Sequence, residues 1–120
     1  MADILVVDDQ PELAELLRTV LEEDGHAAEA VQGGQDALER LAQRRYDLVV
    51  CDLQMPDIDG AAVYRAIAAL TPPRPAVLFM TGYGDTSTYG EFLQTTGVVA
   101  LSKPIGIDAL RAAVRQQLSR

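Results

Sequence analysis

Leu48-Val49-Val50-Cys51-Asp52-Leu53-Gln54-Met55-Pro56-Asp57-Ile58-Asp59-Gly60 is the stretch that decides the fold. Leu48 to Cys51 is a short, continuous apolar run rich in valine, which predicts a strand covered on both faces. That strand ends in a carboxylate, Asp52. The turn from Met55 to Gly60 is built from proline, aspartates and glycine, residues that fix or tolerate turn geometry. A helix is expected next, roughly from Ala61 to Leu70, with Val63, Ile67 and Leu70 on one face.

The same strand-then-helix unit recurs in both directions. Upstream, Ile4-Leu5-Val6-Val7 is a buried strand that runs into Asp8-Asp9. Leu13, Leu16, Leu17, Val20 and Leu21 follow at helical spacing, with Pro11 in the first turn and Asp9 with Glu12 as a capping box. Ala27 to Val31 is a strand that carries Glu29 and so suits a sheet edge. Ala37, Leu38, Leu41 and Ala42 mark a second helix, with Arg44-Arg45 at its negative end. Downstream, Thr71-Pro72-Pro73-Arg74-Pro75 is a stiff connector. Ala76 to Met80 is a fourth strand, ending at Thr81. Residues 86–95 predict a poor helix, because Thr86, Ser87, Thr88 and Gly90 have weak propensity. Val98 to Leu101 is a fifth strand, and Ile107, Leu110, Val114 and Leu118 a closing helix.

Five strands thus alternate with five helices, which predicts an α/β, doubly wound (βα)5 sandwich of flavodoxin-like type. Its five-stranded parallel sheet is expected in the order 2-1-3-4-5, with residues 1–120 as one domain. In such sheets ligands bind beyond the carboxyl ends of the strands, near the point where strand order reverses. Asp8-Asp9, Asp52, Thr81 and Lys103 end or follow four neighbouring strands, so the polar residues converge on one place. Three carboxylates in one pocket repel unless one is protonated or a cation joins them. A few hard oxygen ligands suit Mg²⁺, which keeps several waters and favours a phosphate partner. A lysine and a hydroxyl opposite could hold the phosphate oxygens. An aspartate can itself be the nucleophile. The set reads as metal-assisted phosphoryl transfer to a carboxylate.

Composition narrows the partners. Ten Lys plus Arg against eighteen Asp plus Glu give a net charge of −8, which disfavours nucleic acid and anionic membrane as direct partners. Apolar runs of at most about five residues are far short of the ~20 needed to cross a bilayer. No signal-peptide pattern opens the chain, and a single cysteine gives no internal disulfide, so a cytoplasmic location is expected. Cys51 reads as core, His26 as a surface or helix-end residue, and Asp57 and Asp59 as turn residues. Nine of the ten basic residues are arginine; Lys103 is the only lysine. Its compact ammonium differs chemically from a planar guanidinium fork.

Taken together, Ile4-Leu5-Val6-Val7-Asp8-Asp9, Asp47 to Pro56, Asp59-Gly60, Met80-Thr81-Gly82 and Lys103-Pro104 resemble a response-regulator receiver domain, chemotaxis-regulator-like, of two-component signalling. The resemblance covers essentially the whole chain. It implies that Asp52 accepts phosphate from a phosphohistidine on a histidine kinase or histidine phosphotransfer protein. It implies that Asp8, Asp9, Asp52 and the backbone carbonyl of Gln54 hold Mg²⁺. Lys103 then pairs with the phosphoryl group, Thr81 moves in to bond it, and the bond before Pro104 is cis. Gln54 and Tyr83 flank the path of water and tune phosphate lifetime. The domain is expected to catalyse only its own phosphorylation and dephosphorylation, with an output domain separate or covalently linked.

The sequence departs from the family pattern at Ala100, three residues before the lysine, where receivers usually carry an aromatic ring. Tyr83, Tyr89 and Phe92 instead crowd the segment after Thr81, and Tyr83 or Tyr89 could take part of the missing ring's role. Three alternatives share part of the pattern. A haloacid-dehalogenase-type phosphatase wants a second aspartate two residues after its nucleophile, where this chain has Gln54 after Asp52 and Gln10 after Asp8. An FMN binder wants a phosphate loop where Asp8-Asp9 would repel phosphate. A degenerate receiver used only for docking would not need the full set of site residues.

Overall fold

In a computed structural model of the chain, residues 1–82 and 84–119 are described, excepting the side chains of 85 and 86. The elements in chain order are β1 (Asp3–Val7), α1 (Pro11–Glu23), β2 (Ala27–Val31), α2 (Gly34–Gln43), β3 (Leu48–Asp52), α3 (Gly60–Ala68), β4 (Ala76–Thr81), α4 (Asp85–Thr96), β5 (Ala100–Ser102) and α5 (Ile107–Leu118). All strand pairs are parallel and the order is β2-β1-β3-β4-β5, as the apolar pattern predicts. The chain turns outward from β1 to β2 and then back past it to β3. The strand order therefore reverses between β1 and β3.

Period-two alternation sends side chains of the central strands to two cores. Ile4, Val6, Leu48, Val50, Leu78 and Met80 face α1 and α5, packing on Leu17, Leu21, Leu110 and Val114. Leu5, Val7, Val49, Cys51, Val77 and Phe79 face the other helices, packing on Leu41, Val63 and Ile67. A buried Leu or Val contributes about 1.5–3 kcal/mol, so these two layers hold the sheet in register. Register matters to function, because it sets which strand ends lie level. Among the described residues no helix is long and apolar enough to cross a membrane.

Four local expectations are corrected. Asp9 does not cap α1; Gln10 occupies the N-cap without a side-chain bond, and its amide donates to Asp8 Oδ1 at 2.9 Å. Pro11 at the first position needs no cap for its missing N–H. Arg44 does not serve the negative end of α2. Its backbone is extended there, and its guanidinium joins Arg40 on Glu29 of the edge strand β2, reaching Asp3 as well. Helix α3 stops at Ala68, just before the proline-rich connector. Strand β5 starts at Ala100 rather than Val98. Helix α4 runs to Thr96 and ends on Gly97 in the left-handed region, φ 67°, while the Val98 amide donates to the Thr96 hydroxyl. Despite weak propensities, α4 forms twelve residues because Phe92 packs edge-on against Phe79 and Tyr64, at 5.7 and 5.5 Å between ring centres.

The β3–α3 turn is pinned from two sides. Asp57 accepts from the amides of Gly34 and Gln35, at 3.2 and 2.9 Å, and so caps α2 from a distant part of the sequence. These backbone donors hold its carboxyl below the usual carboxylate range, the Gln35 amide first. The two turns interlock: a Cβ at Gly34 would lie 2.3 Å from the carbonyl oxygen of Ile58. Asp57→Ala is expected to cost about 1 kcal/mol, the usual cost of a lost helix cap, read from urea unfolding. An unchanged midpoint would show that the cap contributes nothing.

Candidate functional site

The site is built at the reversal of strand order. Val7 pairs with Cys51 in the sheet, so Asp8, one residue beyond β1, comes level with Asp52 at the end of β3. On the far side the Lys103 amide donates to the Thr81 carbonyl at 2.7 Å, which continues the β4–β5 alignment past the end of the strand. The Lys103–Pro104 bond is cis. Lys103 Nζ then lies 3.0 Å from Asp8 Oδ2 and 3.1 Å from Asp52 Oδ2. Carboxylate oxygens of Asp8, Asp9 and Asp52 all lie within 4.8 Å of one another.

Burial makes this cluster costly. Asp8 is fully buried and Asp52 is 5% exposed. Burial is the main force raising the Asp52 carboxyl, to about 6, against the opposing pull of Lys103 and with the further push of Asp8 and Asp9. Burial alone would lower Lys103, but the hydrogen bonds and charges of Asp8 and Asp52 outweigh it and hold the ammonium above its ordinary value. Asp8 Oδ1 is used by the Gln10 amide, whereas Asp8 Oδ2 is buried and has no well-directed hydrogen bond among the described residues. Its neighbour is the Lys103 ammonium, 3.0 Å away, which also donates to Asp52 Oδ2 at 3.1 Å.

These residues fit a small divalent cation. Three ionised carboxylates facing one ammonium would leave two uncompensated negative charges. The donors are hard oxygens, and Asp8, Asp9 and Asp52 each bring one to within 4.8 Å of the others. Such an ion would supply charge neutralisation there.

The other residues singled out in the sequence are placed as follows. Gln54 is exposed on the turn two residues past Asp52. The Thr81 hydroxyl donates to the Leu101 carbonyl at a long 3.4 Å, toward β5. Ala100 is paired with Phe79 across β4–β5 and brings no ring to the site. Tyr83 lies outside the described residues. Cys51 is buried, and desolvation first, then the neighbouring aspartates, push its thiol up, which makes it an inert core residue. Sequence reading missed Asp59. It caps α3 through the Ala62 amide at 2.9 Å, and it accepts the Tyr89 hydroxyl at 3.1 Å. The signal was available: an aspartate directly before the apolar helix is an N-cap pattern.

The profile of the response regulator receiver domain matches residues 4–115. The chain belongs to that family. Its receiver fold superposes on a response regulator receiver domain from Clostridium thermocellum with a TM-score of 0.89, at 28% identity, covering 100% of this chain and 96% of that one. The response regulator TrrA of Thermotoga maritima, solved in complex with Mg²⁺-BeF, is 31% identical with a TM-score of 0.84, covering 98% and 100%. Among curated relatives, the transcriptional regulatory protein ZraR of Escherichia coli K12 is 38% identical over 98% of this chain. This receiver spans only about a quarter of that relative, 26% of its length. Sporulation initiation phosphotransferase F of Bacillus subtilis is 30% identical, over 96% of this chain and 92% of its own.

Proposed function

We propose that this receiver takes a phosphoryl group onto Asp52 from a phosphohistidine on a histidine kinase or histidine phosphotransfer protein. The observation that carries the reading is the bridge of Lys103 Nζ between Asp8 and Asp52 at the strand reversal. An Asp52 carboxylate oxygen attacks phosphorus, the phosphorus–nitrogen bond breaks, and the imidazole, already protonated on its other ring nitrogen, leaves neutral with the bonding electron pair. The product is an acyl phosphate on Asp52. Asp8, Asp9, Asp52 and the backbone carbonyl of Gln54 would hold Mg²⁺. Lys103 stays an ammonium and steadies the charge that builds on the phosphoryl oxygens. Thr81, held to Leu101 only by a 3.4 Å bond, is free to turn toward that charge. Gln54, exposed two residues past Asp52, is assigned a part in setting the lifetime of the phosphate, as is Tyr83, which lies outside the described residues.

The reading covers residues 1–120 as one receiver unit, acting in the cytoplasm, with its output on a separate or linked domain. Relatives support both arrangements, since the match fills most of the Bacillus phosphotransferase and a quarter of the Escherichia regulator. The phosphatase alternative is weaker. The Gln10 and Gln54 positions, two residues after Asp8 and Asp52, hold no acid.

Incubation with acetyl phosphate and Mg²⁺, followed by intact mass and fragment mapping, tests the proposal. One phosphoryl group is expected on the peptide containing Asp52, with none when the cation is chelated. An adduct mapped elsewhere, or one equally abundant in chelator, would remove the assignment.

A further inference from the structure

We propose that Asp59 and Tyr89 form a latch that holds α4 in its resting position and opens when the Asp52 pocket is filled. The inference rests on the phosphoacceptor reading above.

Asp59 uses its two carboxylate oxygens for two elements. Oδ1 accepts from the Ala62 amide at 2.9 Å and fixes the start of α3. Oδ2 accepts the Tyr89 hydroxyl at 3.1 Å and fixes α4. The latch is mechanically tied to the phosphorylation pocket from both ends. At one end, Gly60 follows Asp59 and sits directly on the backbone of the acceptor: its amide donates to Leu53 at 2.8 Å, and a Cβ there would lie 2.7 Å from the Asp52 carbonyl oxygen. Asp59 therefore cannot stay still if the end of β3 shifts. At the other end, α4 is joined to Thr81 through a short link whose Gly84 has φ 88°, a left-handed conformation suited to glycine. A new charge on Asp52 that draws the Thr81 hydroxyl would pull that link, and with it the first turns of α4.

The position of Tyr89 fits this role. Three residues on, Phe92 lies on the same face of α4 and packs on Phe79 and Tyr64. Phe79 is the cross-strand partner of Ala100. The small Ala100 leaves the aromatic contact between β4 and α4 to Phe92, so α4 can pivot on an apolar hinge while the bond from Tyr89 to Asp59 sets its angle. A hydrogen bond present only in the resting state opposes loading of the pocket by its own free energy, and the coupling is reciprocal.

The test measures the affinity of wild type, Tyr89→Phe and Asp59→Ser for beryllofluoride with saturating Mg²⁺, by calorimetry. Beryllofluoride stands in for the phosphoryl group. Tyr89→Phe keeps the ring and removes the hydroxyl. Asp59→Ser keeps a good helix cap but cannot reach Tyr89. Each variant is expected to bind about fivefold tighter than wild type, and the double variant no tighter than either. A merely structural role would lower stability without tightening binding. Unchanged or weaker binding by Tyr89→Phe, or additive tightening in the double variant, would overturn the latch while leaving the phosphoacceptor reading in place. Failure of the wild type to bind at all would overturn that reading, and the latch with it.

Discussion

Asp52→Asn is expected to abolish the phosphoryl adduct and, at the same time, to stabilise the metal-free fold. The first effect follows from removing the nucleophile: an amide oxygen does not form the acyl phosphate. The second follows from burial. The Asp52 carboxyl is raised from an ordinary 3.8 to about 6, so the folded state holds its proton more tightly than the unfolded chain does. A carboxyl raised in this way stabilises fully below about pH 4, and that contribution is lost as pH climbs through 6. Above that, the ionised group costs about 1–3 kcal/mol. Asparagine keeps the shape and an acceptor for Lys103 but carries no charge. In chelator at pH 7.5 the variant should therefore melt roughly 5–10 °C higher than wild type. The gain should shrink at pH 5, where wild-type Asp52 is itself protonated. It should also shrink with saturating Mg²⁺, which binds the folded wild type and stabilises it by mass action. Thermal melts across these conditions check all three. A variant that melts below wild type in chelator at pH 7.5 would show that the carboxylate is not a strained charge.

Lys103→Met is expected to be the most damaging single change at the site. Asp8 and Asp52 would lose the ammonium that stands 3.0 and 3.1 Å away, and both are buried. Removing one partner of a buried ion pair leaves an uncompensated charge and costs about 3–5 kcal/mol. Lys103 still reaches water, with its side chain 20% exposed, so about 3 kcal/mol is the reasonable figure. The penalty has a ceiling set by protonation. Without Lys103 the Asp52 carboxyl rises further, and the chain can take up a proton rather than keep the charge. Urea unfolding should therefore show a larger loss at pH 8 than at pH 5. Equal losses at the two pH values would mean that the missing charge is not what destabilises the variant. The rate of adduct formation from acetyl phosphate should also fall by about 100-fold, the usual size of losing one preorganised charge that stabilises a transition state. Methionine preserves most of the apolar stem, which separates the two contributions.

Much of the fold was legible because two periodicities carry it. Runs such as Ile4 to Val7 and Leu48 to Cys51 are too short for helices and too apolar for one-sided strands. Between them the spacing of Leu13, Leu17 and Leu21, or of Leu110 and Val114, is helical. Such patterns depend on which faces are buried, and burial is what the fold maximises. The boundaries were less legible where local hydrogen bonds compete. Gln10 displaced Asp9 as the cap of α1 because Asp8 already held the Gln10 amide. Strand β5 lost Val98 to the Thr96 hydroxyl. Helix α4 was underestimated from propensity alone, since what holds it is Phe92 on Phe79 and Tyr64, three residues far apart in the chain.

The site divides in the same way. The apolar pattern alone places Asp8, Asp9, Asp52, Thr81 and Lys103 at or just past strand ends, and of these the carboxylates and the lysine meet in the fold. Three carboxylates at neighbouring strand ends already pointed to a pocket that needs a cation. The packed fold was needed to show that Asp8 is fully buried, that Lys103 sits between two aspartates, and that Asp57 and Asp59 tie the acceptor's turn to α2 and α4. The reason is physical. Strand ends are placed by the period and order of apolar segments, which the sequence displays directly. Which oxygen meets which proton depends on angstrom-scale approaches between segments 20 to 50 residues apart, and these exist only once both cores are packed.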